Sequence, residues 1–140
     1  MTVLLIHSFF TIFNTGLIWT IQIVHYPLFL KVGEQNFLDY EGQHTSKISR
    51  LVIPSMIFEL ITSILLVHLN GIESIFGLLL LLLSFIWLST FLIQVPLHRS
   101  LSKAYDSQNI YRLVHTNWIR TLIWTIRSFI LISVLDELTK

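Results

Sequence analysis

Two arginines lie inside an apolar stretch near the C-terminus that is long enough to cross a membrane. Arg120 and Arg127 share one stripe of a predicted helix with Asn117 and Trp124, at the spacings i, i+3, i+7 and i+10. A charged side chain in hydrocarbon costs several kcal/mol, so such residues face a protein interior or a wet cavity and have partners there. We therefore expect a polar interior in this protein, and we expect any functional site to lie within it.

Three histidines from three different predicted helices are expected to meet near one end of the protein. His25 ends the first span, His44 begins the second helix and His98 ends the third, while Gln22 and Gln94 lie about one helical turn deeper. Imidazoles from separate helices hold metal ions or haem in helical bundles. The three histidines are therefore the candidates for catalysis and for binding a transition metal or a haem. The candidate substrate-binding residues are Gln22, Gln94, Asn117, Arg120 and Trp124.

Glu41 is a further candidate metal ligand, because it precedes His44 by one helical turn. Glu-x-x-His is the spacing used in carboxylate-bridged di-iron bundles. The motif occurs once, without the second motif and the additional glutamates, which argues against a ferritin-like site. The alternative for the histidines is a hydrogen-bonded cap that closes one end of the bundle. Tyr26 fits an aromatic belt at the membrane interface rather than a site.

Glu59 in the second apolar stretch and Arg127 in the fourth are predicted to form a buried ion pair. At about 1.5 Å rise per residue, both lie at a similar depth from the same end of the protein. We expect the two side chains to pair directly or through water. The pair either takes part in function or only fixes the register of the helices.

Composition places the chain among membrane proteins. Its 140 residues are 54% hydrophobic and only 12% charged, with a net charge of +1 and a mean hydropathy of +0.73. A soluble domain of this length would need more charge to cover its surface. The absence of cysteine excludes disulfides and thiolate chemistry, and the absence of a basic tract argues against nucleic-acid binding. We expect one domain, residues 1–140.

Four apolar stretches predict an all-α, integral-membrane, up-down-up-down four-helix bundle. The stretches are 3–29, 51–69, 75–97 and 113–135, and the polar residues 36–50 have helical spacing. We expect the latter to extend the second helix into the cytoplasm, and we expect a tight turn at Asn70-Gly71. The basic residues of the first and third loops are Lys31, Lys47, Arg50, Arg99, Lys103 and Arg112. By the positive-inside rule these loops are cytoplasmic and both termini lie outside.

Short stretches along most of the chain resemble a group of small, largely uncharacterised bacterial four-helix membrane proteins. The stretches are Gly16-Leu17-Ile18-Trp19 through His25-Tyr26-Pro27, Phe37 to His44, Gln94-Val95-Pro96-Leu97-His98 and Asn117-Trp118-Ile119-Arg120-Thr121. This resemblance implies location in a bacterial inner membrane.

Pro27, Pro96 and Asn117 with Arg120 also resemble positions of the anthrone-oxygenase-like membrane proteins. Those proteins share a first span that ends in proline, a proline before the third loop and Asn-x-x-Arg in the last span. The resemblance implies oxygenation of polycyclic phenols without a dedicated cofactor. The three histidines are additions to that pattern, and they favour a metal or a haem.

These observations predict a membrane oxidoreductase or oxygenase that acts on a lipophilic, quinone-like or phenol-like substrate near the cytoplasmic side of the bundle. The alternative is a non-enzymatic accessory subunit of a larger membrane complex, whose polar residues only specify packing. A proton channel or transporter is ranked last, because four helices without a broken pair are few for that task. The sequence leaves open both a homo-oligomer and a partner within a membrane complex.

Overall fold

Four long helices make up most of the computed structural model, which describes residues 1–138 and 140. No strand occurs among these residues. We label the four continuous helices α1 to α4. Helix α1 comprises Thr2–Thr20, a π-helical turn at Ile21–His25 and Tyr26–Phe29. Helix α2 is Glu34–Asn70 and helix α4 is Ser107–Leu138. Helix α3 comprises Ile75–Ser89, a π-helical turn at Thr90–Gln94 and Val95–Leu101.

Each of the four helices is long and apolar enough to cross a membrane, as the sequence predicts. The predicted helical segment 36–50 is confirmed, because it belongs to α2, which also runs through Pro54 without interruption. The 37 residues of α2 span roughly 55 Å at 1.5 Å per residue, well beyond the ~30 Å hydrocarbon core of a bilayer. The outer faces carry many large apolar side chains, among them Phe9, Leu81 and Phe129, as expected of a surface in contact with lipid.

The helices form a ring in which α1 and α3 each pack against both α2 and α4. Arg127 of α4 holds the ring together at its centre. Its fully buried guanidinium donates hydrogen bonds to Glu59 of α2, to His7 Nε2 of α1 and to the backbone carbonyl of Leu79 of α3. One side chain therefore joins its own helix to the other three, and a small apolar cluster that contains Leu79 and Leu131 packs beside it.

Each π-helical turn ends two residues before a proline, at His25 before Pro27 and at Gln94 before Pro96. A proline ring clashes with the carbonyl four residues earlier and lacks the N–H that this carbonyl would accept. For Pro27 that carbonyl belongs to Ile23, and for Pro96 it belongs to Leu92, so each lies within a π-helical turn. The wider turn lets each helix continue past its proline, and it also rotates the residues that follow.

This rotation changes which residues of α1 point inward. The sequence pattern placed His25 on the inward stripe, but the buried residues run from Ile18 and Gln22 to Tyr26, at steps of four. His25 is only partly buried. On α3 the inward residues pass from Ser89 to Gln94, a step of five across the second π-helical turn.

Two glycines shape the turn between α2 and α3, which confirms the predicted break at Asn70-Gly71. Gly71 has φ +89°, a conformation that favours glycine, and its N–H donates to the Val67 carbonyl at 2.8 Å. Gly77 lies under the turn, and a Cβ there would stand 1.8 Å from the carbonyl oxygen of Ile72. The lack of a side chain at Gly77 therefore lets the turn pack onto the start of α3.

Candidate functional site

A cavity of about 620 Å³ lies between α2 and α3 and reaches inward to α1 and α4. Its walls are mainly apolar, and its outer edge lies where Ile53 and Ile57 of α2 and Phe91 of α3 are exposed. The inner wall is polar. The polar and aromatic residues there are Asn14, Tyr26, His44, Trp87, Thr90, Gln94, His98, Arg120 and Trp124.

A chain of hydrogen bonds runs along the inner wall from Arg120 to Glu41. Arg120 Nη2 lies 3.4 Å from the Tyr26 hydroxyl, that hydroxyl lies 3.0 Å from His98 Nε2, and His98 Nδ1 lies 2.6 Å from Glu41 Oε1. A carboxylate only accepts hydrogen bonds, so His98 Nδ1 donates to Glu41 and Nε2 accepts from Tyr26. The Tyr26 oxygen then accepts from Arg120. Donors and acceptors therefore match along the chain: Arg120 donates to Tyr26, Tyr26 to His98, and His98 to Glu41.

Arg120 is held in place by residues that do not line the cavity. Asn117 accepts from both Nε and Nη2 of the guanidinium, and its own amide donates to Gln22 Oε1 at 2.8 Å. Gln22 in turn donates to the backbone carbonyl of Val114 at 3.0 Å. Asn117 and Gln22, which the sequence suggested as substrate-binding residues, are absent from the cavity wall. Their contacts position Arg120.

The other three predicted substrate-binding residues lie on the cavity wall. Arg120 and Trp124 come from α4 and Gln94 from α3. Gln94 accepts a hydrogen bond from Ser89 at 3.0 Å, and the Trp124 indole donates to Glu59, so each is fixed by a buried partner. These contacts leave the Trp124 ring as an apolar surface of the cavity.

The three predicted histidines lie close together, but their geometry does not fit a metal site. The His44 ring centroid is 5.2 Å from that of His25 and 6.0 Å from that of His98. Both nitrogens of His98 are already engaged, by Tyr26 and Glu41. Within residues 1–138 and 140, no three His, Asp or Glu side chains are placed so that they could hold a metal ion. The structure therefore does not support Glu41 and the histidines as ligands.

His44 also lines a second, smaller cavity of about 330 Å³ between α1 and α2. His25, Tyr40 and Lys47 line the smaller cavity together with His44. His25 contributes to this second cavity and not to the main one. His44 and Ile48 therefore border both cavities.

Glu59 lies in a second buried cluster, and its predicted pairing with Arg127 is confirmed. Glu59 Oε1 is 2.9 Å from Arg127 Nη2, and neither side chain has exposed surface. The same carboxylate accepts hydrogen bonds from Thr11, Asn14 and Trp124. With four partners the carboxylate is fully satisfied, which is the condition under which a buried ion pair is tolerated.

Tyr26 is the residue of the site that the sequence pattern missed. The sequence predicts an interfacial aromatic side chain at this position, yet Tyr26 is almost completely buried and lies between Arg120 and His98. The signal that could have found it is the following proline, since a wide turn before Pro27 brings the residue four after Gln22 inward.

Comparisons of the chain with protein-family models, with curated proteins and with solved structures returned no match. The fold and site define the class: an all-helical protein of four apolar helices, with a mainly apolar cavity whose inner wall is polar.

Proposed function

We propose that this protein is a membrane-embedded oxidoreductase or oxygenase that binds a lipophilic, quinone-like or phenol-like substrate in the main cavity. The observation that carries the proposal is the combination of that apolar cavity with the chain of hydrogen bonds from Arg120 to Glu41 on its inner wall. The bundle would insert with antiparallel helices, both termini outside and the first and third loops in the cytoplasm.

The volume and lining of the cavity favour a flat, lipophilic molecule. Its volume of about 620 Å³ lies within the range of small-molecule sites, roughly 300–1,000 Å³. The aromatic rings of Trp87, Phe91 and Trp124 provide flat apolar surfaces on two sides. Because the outer edge lies among exposed apolar side chains, a ligand dissolved in the bilayer could enter without passing through water.

The polar wall favours an oxygen-bearing ring. Quinones and phenols carry one or two oxygens on an apolar ring. Arg120 can donate to such an oxygen, and the Tyr26 oxygen can accept from the hydroxyl of a phenol. Redox reactions of these molecules couple electrons to protons, so groups that accept and donate protons are needed beside the oxygen. His98 and His44 stand there. In the oxygenase case the co-substrate is dioxygen, a small apolar molecule that suits the same cavity.

Tryptophan fluorescence tests the proposal directly. Trp87 and Trp124 line the cavity, and a bound quinone quenches tryptophan emission. We expect a short-chain benzoquinone to quench the detergent-solubilised protein in a saturable manner. Val52→Phe, which fills the cavity, should weaken binding at least about tenfold, whereas Val67→Phe, half-buried away from the cavity, should not. Unsaturable quenching, or equal binding by both variants, would contradict the proposal.

Activity is tested with a reduced quinone and an oxygen electrode. We expect oxygen uptake by the wild-type protein and its loss in His44→Ala, because His44 lines the cavity 6.0 Å from His98, measured between ring centroids. His115→Gln is the control, since His115 is exposed on α4. A His44→Ala protein as active as the wild type would contradict the enzymatic assignment.

One surface feature favours the alternative of an accessory subunit. An aromatic patch across α1 and α2 consists of Phe9, Phe10, Phe13 and Phe58, whose contacting rings have centroids 5.1–6.2 Å apart. A helix of a larger membrane complex could pack on this patch. Native mass spectrometry of gently extracted protein distinguishes the two: a subunit travels with stoichiometric partners and shows no quinone binding.

A further inference from the structure

Building on the proposed function, we propose that Tyr26, His98 and Glu41 form a proton relay that takes the proton of a phenolic hydroxyl bound beside Arg120. The ligand is then held as its phenolate. This assigns a catalytic role to Tyr26 and His98, which face the ligand, and a positioning role to Glu41, which acts through His98.

The direction of each hydrogen bond suits this transfer. His98 donates from Nδ1 to Glu41, which leaves Nε2 as the acceptor for the Tyr26 proton. The Tyr26 oxygen, relieved of its proton, can accept one from the ligand. Arg120 donates toward the same oxygen and lies on the cavity wall, so its positive charge is beside the phenolate that forms.

The proton step balances within the site. The ligand O–H bond breaks as a Tyr26 O–H bond forms, and the original Tyr26 O–H bond breaks as a His98 Nε2–H bond forms. The ligand gains a negative charge and His98 gains a positive charge, which the Glu41 carboxylate stabilises. No electron moves in this step. A phenolate loses an electron far more readily than a phenol, so the step prepares the ligand for oxidation.

The burial of Glu41 indicates that this carboxylate does more than orient the His98 ring. Its side chain has no exposed surface, and its Oε2 atom has no hydrogen-bond partner among the described residues. A neutral amide or hydroxyl could orient His98 at less desolvation cost. A carboxylate adds one property, the stabilisation of the imidazolium form of its partner, as it does in the Ser-His-Asp arrangement of proteases.

The charged and titratable groups around His98 come from all four helices. They are Tyr26 from α1, Glu41 and His44 from α2, Arg99 from α3 itself and Arg120 from α4, which reaches His98 through Tyr26. The Glu41 carboxylate is the nearest of these groups to His98. Its negative charge favours a proton on His98, whereas positive charge on His44, Arg99 or Arg120 disfavours it. Glu41 is therefore the residue whose neutralisation most weakens the relay.

A chromophoric phenol tests the relay without knowledge of the natural substrate. We use 4-nitrophenol, whose phenolate is yellow and whose neutral form is not, and follow its binding by quenching of tryptophan emission. We expect the bound probe to ionise at a pH about one unit lower than the free probe, a tenfold change in its ionisation equilibrium. Because the proton stays on His98, binding below the pKa of the free probe should release no proton into a weakly buffered medium.

Two variants with matched controls separate the relay from the effect of Arg120 alone. Tyr26→Phe and Glu41→Gln should each remove most of the shift in the ionisation of the bound probe, measured for each variant at a saturating concentration of the probe. The controls are Tyr111→Phe and Glu34→Gln, both at exposed positions, which should ionise the probe like the wild type. Helical circular dichroism checks the fold, and either variant alone suffices if the other does not fold.

The outcomes distinguish this inference from the proposed function. Failure of the wild-type protein to bind either the phenol or the quinone overturns both. Binding of the phenol with an unshifted ionisation overturns the relay and leaves the proposed function standing. A shift retained in Tyr26→Phe, or one proton released per probe bound, assigns the effect to Arg120 and overturns the relay.

Discussion

Replacing Glu59 by Gln is expected to destabilise the protein by about 3–5 kcal/mol, the usual cost of removing one partner of a buried ion pair. Glutamine keeps the shape of the side chain, and much of the neutral hydrogen bonding can be restored. Asn14, which donates to Glu59 Oε2 and accepts from Ser55, can rotate its amide so that both contacts are reversed. The charge cannot be restored, because Arg127 has no exposed surface and would remain uncompensated.

The measurement is the free energy of unfolding in mixed micelles, obtained by titration with a denaturing detergent and read by tryptophan emission. Glu59→Gln, Arg127→Met and the double variant form a cycle, with Glu73→Gln as an exposed control. We expect the double variant to recover part of the loss of Glu59→Gln, since no buried charge remains in it. The reasoning fails if Glu59→Gln lies within about 0.5 kcal/mol of the wild type, the range of ordinary surface substitutions.

Two further predictions concern the turn between α2 and α3 and the orientation in the membrane. Gly77→Ala should destabilise by about 1–3 kcal/mol in the same titration, because its Cβ would overlap the Ile72 carbonyl, whereas Gly16→Ala, with open space around it, should be neutral or stabilising. The chain lacks cysteine, so single cysteines introduced for Gln35, Ile72 and Ser102 report topology. An impermeant maleimide added to intact cells should label only Ile72→Cys; labelling of either other variant contradicts the predicted orientation.

The helices and the Glu59–Arg127 pair were predictable because each depends on one strong physical constraint. A run of about 20 apolar residues has few alternatives to a helix in lipid. A buried carboxylate and a buried guanidinium at the same depth must find each other, because no other partner offsets the cost of desolvation so well. The structure bears out both predictions. The Glu59–Arg127 pair could be predicted without the exact rotation of each helix, because both side chains are long enough to meet over a range of helix rotations.

The inward face of the site was harder to predict, because it depends on rotation. A regular helix advances about 100° per residue, so an extra residue in one turn moves every later side chain around the axis. The pattern on α1 placed His25 inward, and the π-helical turn before Pro27 put Tyr26 there. The prolines are visible in the sequence, but a proline can kink a helix, end it or widen a turn. The helix propensity of proline does not indicate which of the three occurs.

Trp124 belongs both to the wall of the cavity and to the buried cluster around Glu59. Its ring forms part of the cavity wall, while its indole N–H donates to Glu59 at 3.0 Å. Asn14 has the same double role, since it lines the cavity and donates to the same carboxylate, to Oε2 at 2.8 Å. The ion pair that joins the four helices thus fixes two groups that a ligand would touch. Under the proposed function, a change in the ion pair would therefore alter the cavity wall as well as the stability of the bundle.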